Sequence, residues 1–234
     1  LADLGADMIK VEPPRKGEGT RRLLERDPKN SYKGMGAYYL TLNRNKRSVT
    51  INLKTEEGRE LFYELVKTAD VVVDNFSVGV TERLKINHAR LSKINPRIIT
   101  ASITGFGHTG PGRKRVAFDM VSQACGGGMS ITGQPNAAPT RAGIPIGDLG
   151  GGIMGSIGIL SALVARQRTD KGQHVDISMQ DAQLSLLNYM ATMYFLSGDV
   201  PGRLGNSHFV HVPYDTFPVS DGHIIIAVIT DNFW

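Results

Sequence analysis

The period of the apolar positions switches repeatedly along this chain: short β-branched runs alternate with stretches whose apolar residues recur at helical spacing. Residues 8–11 predict a strand closed by Pro13-Pro14, and residues 48–53 predict a second. Residues 55–68 predict a helix, because Leu61, Leu65 and Val66 recur at i, i+4 and i+5. Thr55 stands at its N-cap position, and Glu56 and Glu57 fall in the first turn, where the helix dipole favours acids. A buried strand at 71–73 runs into Asp74-Asn75-Phe76. A helical region at 84–94 is stopped by Asn95-Pro96, and a strand at 97–103 enters the glycine turn at 105–110. Further on, the pattern predicts helices over 118–124, 153–167 and 180–196 and a strand over 173–178. A β pair at 213–217 and 223–229 flanks the Ser220-Asp-Gly222 turn.

Strands and helices alternating at this spacing imply βαβ units. The expected fold class is α/β: a doubly wound, Rossmann-like parallel sheet forming a large domain over 1–200, with 201–234 beginning a smaller α+β domain. Ligands bind such sheets at the carboxyl ends of the strands, which brings forward the loops at 13–19, 75–79 and 105–110. None of them is a GxGxxG turn opening a helix, and there is no Walker A pattern, so a dinucleotide cofactor has weak support. Gly155, Ser156, Gly158, Ser161 and Ala162 give the 153–167 helix a small-residue face suited to close packing. No apolar run reaches the ~18 residues that span a bilayer, so no membrane association is expected. The opening at Leu1 and the stop at Trp234 both read as mid-fold, so a longer parent protein is expected.

A 41% hydrophobic fraction is ordinary for a globular chain with a sizeable core. Within a net charge of +5, basic residues cluster near 15–26, 44–47 and 113–115; such runs are usually solvated faces, and the functional alternative is an anionic ligand. Nucleic acid is disfavoured, since no basic stripe is interleaved with aromatics and no zinc-finger spacing is present. Cys125 is the single cysteine. It excludes an intrachain disulfide and a cysteine-based zinc site, fits a reducing compartment such as the cytoplasm, and beside glycines 126–128 is expected to be a small packed residue.

The most informative window is Gly143-Ile-Pro-Ile-Gly-Asp-Leu-Gly-Gly-Gly152, immediately ahead of the apolar 153–167 segment. An acid there can be an N-cap, its carboxylate accepting bonds from the first free N–H groups of the helix. It can also be a nucleophile, with the glycines admitting a substrate and free N–H groups facing a developing oxyanion. On this window alone the cap is the stronger reading of Asp148.

Six landmarks then occur in order: Leu4-Gly-Ala-Asp-Met-Ile-Lys-Val-Glu12, Asn43-Arg-Asn-Lys-Arg-Ser48, and Asp74-Asn-Phe76 with Arg83 after it. Next come Ile103-Thr-Gly-Phe-Gly107, Gly147-Asp-Leu-Gly150, and Thr169-Asp-Lys-Gly-Gln173 leading to Asp176-Ile-Ser-Met-Gln-Asp-Ala182. Together they cover nearly the whole chain, which resembles the class III CoA-transferases, the group containing formyl-CoA transferase and carnitine CoA-transferase. The resemblance implies an interlocked homodimer. It also implies exchange of coenzyme A between an acyl-CoA and a small carboxylic acid, with neither metal nor other cofactor. Asp148 falls on the family's nucleophilic aspartate, which carries mixed-anhydride and aspartyl-CoA thioester intermediates, and glycines 150–152, among them Gly150 and Gly151, allow tight closure and N–H access. Asp119 is the neighbouring acid, with a positioning or charge-balancing role. Arg15, Ile51, Lys54, Asn75, Phe76, Arg83 and Met179 fall at family contacts to CoA, with Ile51 lining the adenine pocket. A cytoplasmic location, or a mitochondrial or peroxisomal matrix in a eukaryote, is consistent with this.

The chain also departs from formyl-CoA transferase. Pro13-Pro14 replaces paired arginines, with Arg15 and Lys16 shifted beyond them. Val116-Ala-Phe118 replaces a lysine–x–tyrosine, and 205–214 replaces a four-glycine lid. These differences favour an acid other than oxalate. The related α-methylacyl-CoA racemases place a histidine where Phe118 stands, and a phenyl ring cannot relay an α-proton. Racemisation and a catalytically silent CoA-binding protein are the alternatives. His208 and His211 could line the acceptor site or sit at a turn.

Overall fold

The computed structural model describes all of residues 1–234. The chain divides into two compact units: residues 1–74, 79–101 and 158–175 form the first, and residues 75–78, 102–157 and 176–234 the second.

In the first unit, β1 (Met8–Glu12) begins a short sheet. A two-residue ribbon, β2 (Ser31–Tyr32) and β3 (Met35–Gly36), leads to helix α1 (Ala37–Leu42), and β4 (Lys46–Thr50) pairs in parallel with β1. Asn45 turns the chain into β4 with φ of 57°. Helix α2 (Glu56–Thr68) starts where the sequence placed it, with Thr55 Oγ1 accepting the Gly58 N–H at 3.1 Å. Its buried face, Phe62, Tyr63 and Val66, packs with Ile86, Leu91 and Ile98 into the core cluster of this unit. Leu61, one of the positions that suggested the helix, is exposed; period alone marks a face but not its width.

After β5 (Val71–Asp74) comes a single turn, α3 (Val80–Arg83), and of the helix expected over 84–94 only a second single turn forms, α4 (His88–Leu91). Lys85 sits between them in a left-handed conformation, φ 59°, which no continuous helix admits. Strand β6 (Ile99–Thr104) is the centre of a three-stranded sheet ordered β5–β6–β7, with β7 at His174–Ser178. Its residues are almost all buried, as expected for a central strand covered on both faces. Parallel pairing and alternating helices make the fold α/β, in agreement with the sequence pattern.

The second unit holds α5 (Asp119–Cys125), α6 (Gly128–Ile131) and the first half of α7 (Ile146–Thr169). The helix expected at 153–167 starts seven residues earlier, so the glycine window lies inside it. Glycine is a poor helix former, but close packing overrides propensity here: a Cβ at Gly151 would stand 2.9 Å from Met179 Cγ, and one at Gly155 2.9 Å from Ile103 Cδ1. At 24 residues α7 is also long and apolar enough to span a bilayer, contrary to the run lengths counted from the sequence, because the glycines extend the apolar stretch. One face of it is nevertheless buried in protein, at Gly151, Gly155, Ile159, Ala162 and Arg166. In the first unit Arg166 donates to the Arg97 carbonyl and to the Asp70 carboxylate at 2.7 Å.

The helix expected over 180–196 is two, α8 (Met179–Leu186) and α9 (Tyr189–Ser197), broken at Asn188 with φ 52°. The chain ends in the antiparallel hairpin β8 (Tyr214–Val219) and β9 (Gly222–Ala227).

Candidate active site

Asp148 does not play the part that its window favoured locally. It lies in the first turn of α7, two residues past the start, so it is not the N-cap. The cap comes from Asp119, at the start of α5 and 29 residues away. Asp119 Oδ1 accepts the Gly147 N–H at 2.8 Å and the Asp148 N–H at 3.3 Å. A carboxylate there satisfies two of the orphan N–H groups and complements the positive end of the helix dipole. Gly147 permits the approach: a Cβ at this position would lie 2.7 Å from the Asp119 carbonyl oxygen.

This corrects the role expected of the glycines. Gly150 and Gly151 do not offer free N–H groups, since they lie beyond the first turn, where backbone donors belong to the i→i−4 ladder. They serve as packing surface: a Cβ at Gly150 would stand 3.2 Å from Leu186 Cδ1, and at Gly151 it would press on Met179 and Ile103. Met179, expected at CoA, is buried under Gly151.

The Asp148 side chain projects from an exposed position. Partial burial at the helix start raises its pKa above the ordinary carboxylate value, and the neighbouring Asp119 charge raises it further. Behind Asp119 stands Gln123, one helical turn on and 1% exposed. Its Nε2 donates to Asp119 Oδ2 at 2.7 Å, and its Oε1 accepts the Ala142 N–H at 2.9 Å. From α8, Gln183 Nε2 donates to the Ile146 carbonyl at 3.1 Å. Neither glutamine stood out in the sequence; the available signal was the i, i+4 spacing of Asp119 and Gln123 ahead of a glycine run.

Cys125, expected to be packed, is exposed, because α5 turns Ser122 and Gln123 inward and leaves Cys125 outside. Phe118 is the N-cap residue of α5 and is 81% exposed.

The other expected contacts divide between the units. In the second, Asn75 Nδ2 donates to the Ile103 carbonyl at 2.8 Å, and Phe76 is 40% exposed. In the first, Ile51 is buried while Arg15, Lys54 and Arg83 are exposed. Arg15 has φ of 69° in the loop after β1, and Lys54 N–H bonds Asn52 Oδ1 in the turn before α2.

A recess of about 410 Å³ opens between the glycine turn and the start of α8, lined by Phe106, Gly110, Asp176 and Asp181 among others. Asp148 and Asp119 do not line it, so it is not where acyl chemistry on Asp148 would occur. The Asp176 carboxylate holds the turn by accepting the His108 N–H at 2.9 Å. His208 Nδ1 accepts the N–H groups of Val210 and His211, both at 3.1 Å, which fixes its proton on Nε2 and makes it the centre of a turn.

The family model described as CoA-transferase family III matches residues 1–234. Succinyl-CoA:mesaconate CoA-transferase of Haloarcula marismortui is 41% identical over 238 residues, covering 100% of this chain and 60% of that protein. Acetyl-CoA:oxalate CoA-transferase of Acetobacter aceti is 42% identical over 236 residues, covering 100% and 59%. Among solved structures, a CAIB/BAIF family protein from Brucella suis superposes with a TM-score of 0.89 at 44% identity, over 96% of this chain and 59% of that one. The chain thus spans about 60% of the length of these relatives.

Proposed function

The chain belongs to CoA-transferase family III, and from that premise we propose that its parent protein moves coenzyme A from an acyl-CoA to a small carboxylic acid through covalent intermediates on Asp148. The observation that carries this reading is an exposed carboxylate whose charged form is destabilised by partial burial and by a second carboxylate fixed beside it.

The steps balance without added protons or electrons. An Asp148 oxygen attacks the thioester carbonyl, the C–S bond breaks, and CoA thiolate leaves a mixed anhydride. The thiolate then attacks the aspartyl carbon, the anhydride C–O bond breaks, and the donor acid departs from an aspartyl-CoA thioester. An acceptor carboxylate attacks that thioester and expels the thiolate, which takes the acyl group from the new anhydride and frees Asp148. Such a cycle needs neither a metal nor a redox cofactor. Each acylated form of Asp148 is neutral, so the repulsion from Asp119 disappears on acylation. Arg15, Lys54 and Arg83 are the proposed partners of the CoA phosphates. Ile51, Asn75 and Phe76 are proposed to hold the rest of the carrier. Phe118 has no proton to exchange, which disfavours racemisation.

The experiment uses the full-length protein with succinyl-CoA or acetyl-CoA, quenched with borohydride, which reduces an activated aspartyl group to homoserine. We expect the modification at Asp148 and its loss in Asp148→Asn, along with transfer activity. Because the Asp148 pKa is raised, kcat/KM should fall on acidification at a pH above the ordinary aspartate value of 3.8. Modification at Asp119, or more than a few per cent of activity in Asp148→Asn, would sink the assignment.

A further inference from the structure

The polar groups behind Asp148 form a chain that local sequence does not reveal. Asp119 has both carboxylate oxygens engaged: Oδ1 by the N–H groups of Gly147 and Asp148, and Oδ2 by the Gln123 amide. The other end of the Gln123 amide accepts from Ala142, in the segment that leads into α7. We propose that Gln123 is a positioning residue for acyl transfer, a buried strut that clamps the Asp119 carboxylate to the start of α7 and so sets where the Asp148 carboxylate stands. The proposal rests on the reading of Asp148 as nucleophile.

The chemistry of the position restricts what can fill it. At 1% exposure the side chain must donate to a carboxylate on one side and accept from a backbone N–H on the other. A glutamine amide does both. Glutamate has only acceptors when ionised and would set a second carboxylate against Asp119. Methionine fills the volume and replaces neither bond, and asparagine is one methylene too short. Gln123 is the side chain that donates to Asp119, so without it the carboxylate is held only by the two N–H groups it caps. Ser122 beside it is fully buried, with its hydroxyl unpartnered and its Cβ 3.2 Å from where a Gly147 Cβ would lie, so this junction has no slack to absorb a displaced carboxylate. Of the charged groups, Asp119 is the one acting on Asp148.

The test follows exchange of isotope-labelled CoA into succinyl-CoA by the full-length enzyme, which reports the first half-reaction without requiring the acceptor acid. Gln123→Met should lower the maximal exchange rate on the order of tenfold to a hundredfold, the scale of a small misplacement of a reacting group. KM for succinyl-CoA should stay within about twofold, because the proposed CoA contacts lie elsewhere. Gln123→Glu supplies the sharper reading. While the introduced glutamate and Asp119 share one proton, the protonated acid can donate to Asp119 and accept from the Ala142 N–H as the amide does. Once that proton is lost the two carboxylates repel. The exchange rate of this variant should therefore show an alkaline fall that the wild type lacks. Gln123→Glu keeps the shape of the side chain, so it remains decisive if Gln123→Met fails to fold. A wild-type pH profile in Gln123→Glu, or a loss expressed wholly in KM, overturns the proposal while leaving Asp148 as nucleophile untouched. Borohydride reduction of the wild type at a residue other than Asp148 would instead defeat the underlying reading and this inference with it.

Discussion

Glu12 carries a charge at 1% exposure, and three kinds of donor make that possible. Arg21 donates two bonds at 2.7 and 2.8 Å, the Ser48 hydroxyl one at 2.7 Å, and the Glu18 N–H one at 3.0 Å. The Arg21 hydrogen bonds hold its pKa down to about 2, against burial, which pushes it up. A carboxylate depressed in this way stabilises the fold above its unfolded pKa of 4.5, and the contribution is lost as pH falls through the folded value. Glu12→Gln should cost roughly 2–3 kcal/mol at pH 7 in urea unfolding, and the difference from wild type should shrink between pH 4.5 and 2. An equal difference at neutral pH and near the folded pKa would show that packing, not charge, is what was lost. At this scale identity was legible and partnership was not. The sequence drew attention to Asp148 and Asp119 as residues, but a cap supplied from 29 residues away and a buried glutamine behind it depend on tertiary placement, which no local pattern encodes.

Element ends are legible in the sequence where they are chemically marked and hidden where tertiary packing decides them. Thr55 announced α2 because its hydroxyl does the capping itself. The breaks at Lys85 and Asn188 leave no mark in the sequence, since neither residue is the glycine or proline that usually signals such a turn. The start of α7 lies ahead of where the sequence pattern puts it, because its glycines look like loop until their neighbours, Met179 and Ile103, are known to lie against them. The same override gives a sign reversal at Gly58 in the first turn of α2. Helix propensity says alanine should gain up to about 1 kcal/mol there. A Cβ at that position would lie 2.0 Å from the Asn52 backbone carbonyl oxygen, which cannot swing away as a side chain can. We expect Gly58→Ala to destabilise by about 2 kcal/mol or more, an overpacking cost. A rise in melting temperature would refute this packing account.

Seen whole, the chain leaves much apolar surface uncovered. On α7, Ile153, Ile157, Leu160 and Val164 follow one another at i, i+4, i+7 and i+11, each roughly half exposed, and on α9 Phe195 and Leu196 are more than three-quarters exposed. Stripes of this kind mark surfaces that another chain segment or subunit covers. We propose a homodimer for the full-length protein and expect Ile157→Glu to weaken it, measured by light scattering at micromolar concentration. A monodisperse wild-type monomer would defeat that expectation. There is a further consequence in how the proposed roles are shared out between the two compact units. Asp148, Asp119, Gln123 and the α7 glycines from 147 to 155 all belong to the second unit, whereas Arg15, Lys54 and Arg83 all belong to the first. A lineage of such enzymes can then diversify by unequal inheritance. Mutations near the bond-making groups can recruit new acids generation after generation, while the proposed grip on the CoA phosphates by Arg15, Lys54 and Arg83 is handed down unchanged in the first unit. Only Asn75 and Phe76, proposed at the rest of the carrier, share the fate of the second.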